Sequence, residues 1–404
     1  MPKALWLLVA GMVINVTGAS FLWPLNTIYI HEHLGKSLAV AGLVLMFNAG
    51  AGIIGNLFGG TLFDKIGGYR TIISGILLTA TAITSMIFFH QNFYAYAILM
   101  AVLGFGAGMI FPAMYAMAGS VWPAGGRKAF NAVYVAQNLG VAIGAAGGGL
   151  VASYKFEYVF IANTVMYLAF LALAVFGFKG IQDGQVDHGA SPTSILNHAS
   201  SVKSKKRLQA LILLSFGYLL AWMGYVQWQS TIAAYTQELN ISLKQYSLLW
   251  TINGALIVLG QPLLKFAVDR RVKTIKAQIL TGLAIFIAAF AVAGQAVEFT
   301  GFAAAMVILT IGEMFVWPAV PTAANELAPK GRQGFYQGIV NSTATGGRML
   351  GPVLGGLVAD MFGMQILFTL LIGFYAAAMA ATIVYDRKLK EIEAAKPEPV
   401  VSGV

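Results

Sequence analysis

The sequence predicts an all-α membrane protein of twelve transmembrane helices, arranged as two pseudo-symmetric six-helix bundles. Three observations predict it. The 404-residue chain is 58% apolar and only 10% charged, with mean hydropathy +0.76, against roughly 25% charged residues in a soluble domain. Apolar runs of the about 20 residues that a span needs fill nearly the whole chain. Short motifs recur at offsets of 205 to 207 residues, as expected of two parallel six-helix repeats.

Taken in order, the spans read as residues 5–30, 37–63, 71–90, 93–121, 129–153, 158–178, 208–235, 244–267, 275–296, 300–325, 334–359 and 363–385. The first run is too long for a signal-peptide core and lacks a small-residue cleavage site, so it is read as a retained span. Residues 1–178 make the N-terminal bundle and 208–386 the C-terminal one. Between them, 179–207 is a polar linker closing on Lys203, Lys205, Lys206 and Arg207. Residues 387–404 are charged and then proline-rich, a composition that stays disordered. With the N-terminus inside, 21 of the 25 Lys and Arg fall on inner segments; Lys36, Lys155 and Lys244 fall outside. That bias puts both termini in the cytoplasm.

Composition also excludes several functions. The +10 net charge lies between apolar runs, not on one soluble face, so nucleic acid is not the expected partner. With no cysteine there is neither a disulfide framework nor a thiolate metal site. His31-Glu32-His33 lies in the first outer loop without a second cluster and reads as solvated loop, so no metal is expected. No nucleotide cradle and no nucleophile–base arrangement stands out. An enzyme is therefore not expected, nor any cofactor.

One stretch organises the rest. Gly55 to Arg70 reads G-N-L-F-G-G-T-L-F-D-K-I-G-G-Y-R. Gly55, Gly59 and Gly60 strip side chains from one helix face, so a neighbouring helix can approach closely. Asp64 and Lys65 follow at the polar end. The second copy, G-Q-P-L-L-K-F-A-V-D-R-R, sets Gly260 to Asp269 as Gly55 stands to Asp64, again with a base, Arg270, behind the acid. Further echoes are F-P-A-M at Phe111 and W-P-A-V at Trp317. Each precedes a Pro and a Gly-Arg turn, ending in Arg127 and Arg332. The fifth span carries Gly140, Gly144 and Gly148; the eleventh carries Gly347, Gly351, Pro352 and Gly355. Such ladders make close-packing faces, and Pro352, which frees a backbone carbonyl, adds a candidate hinge.

Gly60, Asp64, Lys65 and Gly67 resemble the signature loop between the second and third helices of the major facilitator superfamily, G-x-x-x-D-(R/K)-x-G-(R/K). Gly68 stands where the family has its last base, and Arg70 follows. The resemblance covers about residues 4–385. The glycine ladders are similar to the family's antiporter motif, G-x-x-x-G-P-x-x-G-G. The complete version lies in the eleventh span, and Ala145 replaces the proline in the fifth. The resemblance implies alternating access by two rocking bundles around a midplane site, in a bacterial plasma membrane, by a monomer.

It also implies inner-face latches, Asp64 with Arg127 and Asp269 with Arg332, flanked by Lys65, Arg70 and Arg270. Ordinary solvated loop charge is the alternative. Spans one, four, seven and ten line the cavity in the family. The cavity candidates on those spans and their neighbours are Asn15, Trp23, Phe111, Tyr115, Asn138, Trp222, Tyr225, Gln229 and Trp317. Two features of the family's exporters are missing: a base in the fourth span, where Leu99 to Gly108 has none, and an acid in the first, which offers only Asn15.

Glu313 lies far from either end of the tenth span, where a carboxylate is costly unless neutral or paired. The stretch resembles span ten of drug:proton antiporters, which implies a proton as coupling ion. Arg348 is the one base inside a span. Counting at about 1.5 Å per residue puts both at one depth, so an Arg348–Glu313 pair is expected. The alternative for Arg348 is a bond to carbonyls freed near Pro352. The expected function is proton-coupled efflux of small lipophilic or cationic compounds. A symporter or facilitator for a sugar, peptide or other metabolite, a lipid translocator, and a non-transporting membrane sensor or assembly factor are the alternatives. Substrate-dependent proton movement separates these.

Overall fold

A computed structural model describes residues 1–22, 25–26, 29–36, 38–181, 202–387 and 389. Among them the chain is all helix and turn, without strands. Ten helices are individually long and apolar enough to cross a membrane. The eighth span is a bent pair, Leu248–Leu259 and Gln261–Val268, turned by 55°. Gly260 and Pro262 explain the break, because proline cannot donate to the carbonyl four residues back. The eleventh span, Gln333–Phe362, completes the twelve. Its Gln337, Asn341, Thr345 and Arg348 set it apart from its apolar neighbours.

Two expected spans end differently. The first helix runs Lys3–Leu22, and a short π-helical turn at Tyr29–His33 lies beyond it. In that turn the His31 ring bonds the Lys36 carbonyl (2.7 Å) and His33 stacks on Tyr29. The seventh span runs Val202–Tyr225, tightens into a single-turn helix over Val226–Gln229, and resumes as Thr231–Glu238. The four bases expected in the linker thus open this helix. Linker residues 182–201 and tail residues 388 and 390–404 lie outside the described residues.

The two halves pack in the same pattern. In the first, span 1 packs on 5 and 6, span 3 on 4 and 6, and span 2 on 4. In the second, span 7 packs on 11 and 12, span 9 on 10 and 12, and span 8 on 10. Each half buries its own apolar core. Glycine sets the closest approaches: a methyl built on Gly55 would meet the Phe105 carbonyl oxygen at 2.1 Å, so spans 2 and 4 touch backbone to backbone.

Across the bundles, span 2 packs on 11 and span 5 on 8 and 10. The cross-bundle hydrogen bonds at Asp64, Ile53, Asn56, Arg127, Asn131 and Tyr134 lie between the midplane and the terminal face, where the first span begins and the last one ends. That terminal face is therefore the joined one.

Candidate functional site

The tenth span, Phe299–Leu327, puts Glu313 at its centre, about 21 Å from either end at 1.5 Å per residue. The side chain is 2% exposed. Its carboxyl accepts from Tyr134 Oη at 2.6 Å, Asn253 Nδ2 at 2.9 Å and Tyr225 Oη at 3.0 Å. Asn253 also reaches Thr310 Oγ1 at 2.9 Å, which ties the amide to the tenth span itself. Three neutral donors from spans 5, 7 and 8 thus offset the cost of burying the carboxyl, and among the described residues no cation pairs with it. The Tyr134 bond crosses between the bundles. Tyr134 comes from the fifth span yet packs into the apolar core of the second half.

The expected Arg348–Glu313 pair does not form. Arg348 lies at the same depth, midway along Gln333–Phe362, but its guanidinium sits 4.7 Å over the Trp222 ring. Its hydrogen bond goes to Thr345 Oγ1 at 3.4 Å, not to a carbonyl freed near Pro352, so neither expected arrangement holds. An aromatic partition separates base from acid. Trp222 stacks on Trp317 (4.4 Å, 9°), and Tyr225 meets both edge-on at 5.5 and 5.3 Å. Tyr218 closes the group against Trp222 and Trp317. The Tyr225 hydroxyl bonds Glu313 while its ring faces Trp222, so one side chain links the two charges.

The other cavity candidates divide. Tyr115 donates to Gln137 Oε1 at 2.7 Å and stacks on Phe130, on the first-half side of Arg348. Phe111 is half-buried on the same helix. Asn138 is spent on its own helix, donating to the Tyr134 carbonyl at 2.9 Å. Asn15 is buried with its Oδ1 unpartnered. Gln229 is exposed at the end of the turn in the seventh span. Trp23 lies outside the described residues.

The latch partners also differ from expectation. Asp64 does not pair with Arg127. Its two carboxylate oxygens accept from the backbone N–H groups of Gly334 and Phe335, each at 2.8 Å. These are free donors at the start of the eleventh span, where an anion also complements the helix dipole. Glycine makes the contact possible: methyls on Gly60 or Gly334 would meet the other's carbonyl oxygen at 2.2 or 2.3 Å. Arg332 lies within electrostatic reach of the carboxylate.

Arg127 instead donates to the Met314 carbonyl at 2.7 Å. Pro318, four residues on, has no N–H to give that carbonyl, so a base from the other bundle supplies the missing donor. Lys65 and Arg70 are exposed. Arg270 packs over its own helix neighbour Phe266 at 4.5 Å. The Asp269 side chain lies outside the described residues.

Both glycine ladders are tight contact faces. Methyls on Gly140, Gly144 and Gly148 would strike the first span, at 2.4 Å from the Thr17 carbonyl for Gly144. Methyls on Gly347, Gly351 and Gly355 would strike the seventh, at 1.9 Å from Gln227 Oε1 for Gly355. Gln227 also donates to the Gly351 carbonyl at 2.7 Å, and the helix runs unbroken through Pro352. Sequence reasoning missed Tyr134 and Tyr218. The signal for Tyr134 was its place among Asn131, Gln137 and Asn138 on one span; Tyr218 had none beyond its position one turn before Trp222.

Comparison with known proteins agrees with this architecture. The Major Facilitator Superfamily profile matches residues 8–348 and again 214–402. The MFS-type transporter YttB of Bacillus subtilis is 57% identical over 403 residues, spanning 100% of both chains. The quinolone resistance protein NorA of Staphylococcus aureus is 23% identical, over 89% of this chain and 91% of its own. In fold, the human organic anion transporter MFSD10 superposes with a TM-score of 0.76 at 16% identity, covering 95% of this chain and 100% of that one. With two matching bundles, the signature loop docked on the eleventh span and profile matches across both halves, the chain belongs to the major facilitator superfamily.

Proposed function

We propose that this transporter couples export of small lipophilic compounds to proton entry, with Glu313 as the proton carrier. One observation carries the reading. A buried carboxyl at the midplane is bonded across the bundles to Tyr134 at 2.6 Å. Proton uptake turns a charged acceptor into a neutral one and weakens that bond. Taking a bond to a charged group as about 1.5–3 kcal/mol and a neutral one as about 0.5–1.5, the bundles loosen by roughly 1 kcal/mol. That is about a fivefold change in their equilibrium.

The Arg127 bond to the carbonyl of the next residue, Met314, carries the same movement toward the terminal face. That face is taken as cytoplasmic from the Lys and Arg bias. The bonds that join it then support a state closed to the cytoplasm. The kinship with NorA and with the multidrug resistance protein MdtH of Aeromonas hydrophila, 22% identical over 366 residues, favours efflux. A cationic substrate is expected only if Glu313 faces it. The carboxyl is occupied by Tyr134, Tyr225 and Asn253, so the reading narrows to lipophilic compounds with the aromatic group as their wall.

The test is flux of a dye panel in proteoliposomes with and without a pH gradient. Wild type should accumulate dye against its gradient only when the proton gradient is imposed, and Glu313→Gln should keep downhill exchange while losing that dependence. Gradient-driven transport by Glu313→Gln at the wild-type rate would remove Glu313 as carrier.

A further inference from the structure

Arg348 is exposed, yet it does not face lipid. Its guanidinium lies over Trp222 of the seventh span, and the ionisable groups that interact with it are Tyr115 of the first bundle and Tyr218 of the second. A head flanked from both bundles and still exposed borders an opening between them. Among the described residues no carboxylate lies within ion-pair distance of it, and its weak bond to Thr345 at 3.4 Å leaves most of its five N–H donors unspent.

A midplane cation without a counter-ion is costly, and an anion entering the opening removes that cost. Trp222 is stacked on Trp317 and has the guanidinium over its ring, so Arg348 is the outer layer of a planar stack. Fixed positive charge and surplus donors at the edge of an aromatic group together select one chemistry.

We infer that the opening between the bundles binds amphipathic organic anions through a carboxylate or sulfonate on the Arg348 guanidinium. The inference rests on the transport reading above for its place in a cycle, but not for its test. Glu313 stays behind the aromatic partition, so the anion and the proton occupy different pockets and do not neutralise one another.

The experiment is isothermal titration calorimetry on the purified full-length chain in detergent, with two probes that share a ring and differ in charge: naphthalene-1-sulfonate and 1-naphthylmethylammonium. Wild type should bind the sulfonate at least tenfold more tightly than the ammonium. Arg348→Gln should weaken the sulfonate tenfold or more and leave the ammonium unchanged or improved. Arg348→Lys, which keeps the charge, should retain most of the sulfonate affinity and guards against a folding defect. Equal or tighter binding of the ammonium by wild type, or an unchanged sulfonate affinity in a monodisperse Arg348→Gln, overturns the inference. Calorimetry reads occupancy and flux reads coupling. Loss of gradient dependence with sulfonate binding intact sinks the transport reading alone; coupled flux without charge preference sinks this one alone.

Discussion

Replacing Asp64 by asparagine should open the terminal face. The carboxylate holds the eleventh span through two backbone N–H groups, each at 2.8 Å. Asparagine keeps one acceptor oxygen and loses the charge, so two charge-assisted bonds become one neutral bond. At about 1.5 kcal/mol for each charged bond at this half-buried site, about 1 for the neutral one, and up to about 1 for the helix-dipole contribution, the net loss is about 2–3 kcal/mol. The open population should rise by about 30-fold or more relative to the closed one. The chain has no cysteine, so spin labels go on cleanly at Arg70→Cys and Lys273→Cys, both exposed and one on each bundle. Double electron–electron resonance should show a longer label separation gaining population in Asp64→Asn. An unchanged distance distribution in both Asp64→Asn and Asp64→Ala would refute the latch.

Three further outcomes follow from the same contacts. Gly60→Val should separate spans 2 and 11, because its side chain would meet the Gly334 carbonyl oxygen from 2.2 Å; the label separation should lengthen at least as much as for Asp64→Asn. Tyr134→Phe keeps the ring and removes the cross-bundle donor to Glu313, so transport should persist with an altered pH profile, measured as flux between pH 5.5 and 8. At the opposite face, burial holds the His90 imidazole below the ordinary histidine range while the Tyr29 hydroxyl bonds its Nδ1. The unfolded chain then takes up the proton first. Stability is full above pH about 6.5 and declines as pH falls below it, and His90→Gln should flatten that decline in thermal unfolding at pH 7.5 against 5.5.

The fold was legible because its signals are global. Apolar runs and a repeat offset survive any error in local geometry, so twelve spans and two like halves can be read without knowing a single contact. Backbone bends are local and escape hydropathy altogether. The break at Gly260 and Pro262 sits inside a run that counts as one apolar stretch, and the turn over Val226–Gln229 interrupts the seventh span without a proline or glycine inside it. Depth was legible too, since counting residues puts Glu313 and Arg348 at one level. Azimuth was not: which way each points depends on the phase of its helix against its neighbours. Asp64 was misassigned for another reason. Pairing by sequence matches letters of opposite charge, and a helix N-terminus has no letter.

The separation of Glu313 from Arg348 makes the proposed cycle workable. An ion pair between them would cancel both charges, leaving no acid free to respond to protons and no base free to hold a substrate. The aromatic partition keeps each available, at the cost of burying a carboxyl on neutral donors alone. It also connects them. Tyr225 donates to Glu313 at 3.0 Å and faces Trp222 at 5.5 Å, so a ligand that displaces Trp222 presses on the ring whose hydroxyl holds the acid. A ligand that presses the Tyr225 hydroxyl onto the ionised carboxyl opposes its protonation, and a proton that weakens the Tyr225 and Tyr134 bonds loosens the wall the ligand rests on, so each disfavours the other as exchange requires. Substrate and proton then bias one two-state element from opposite sides of a single aromatic wall, which is the physical content of coupling.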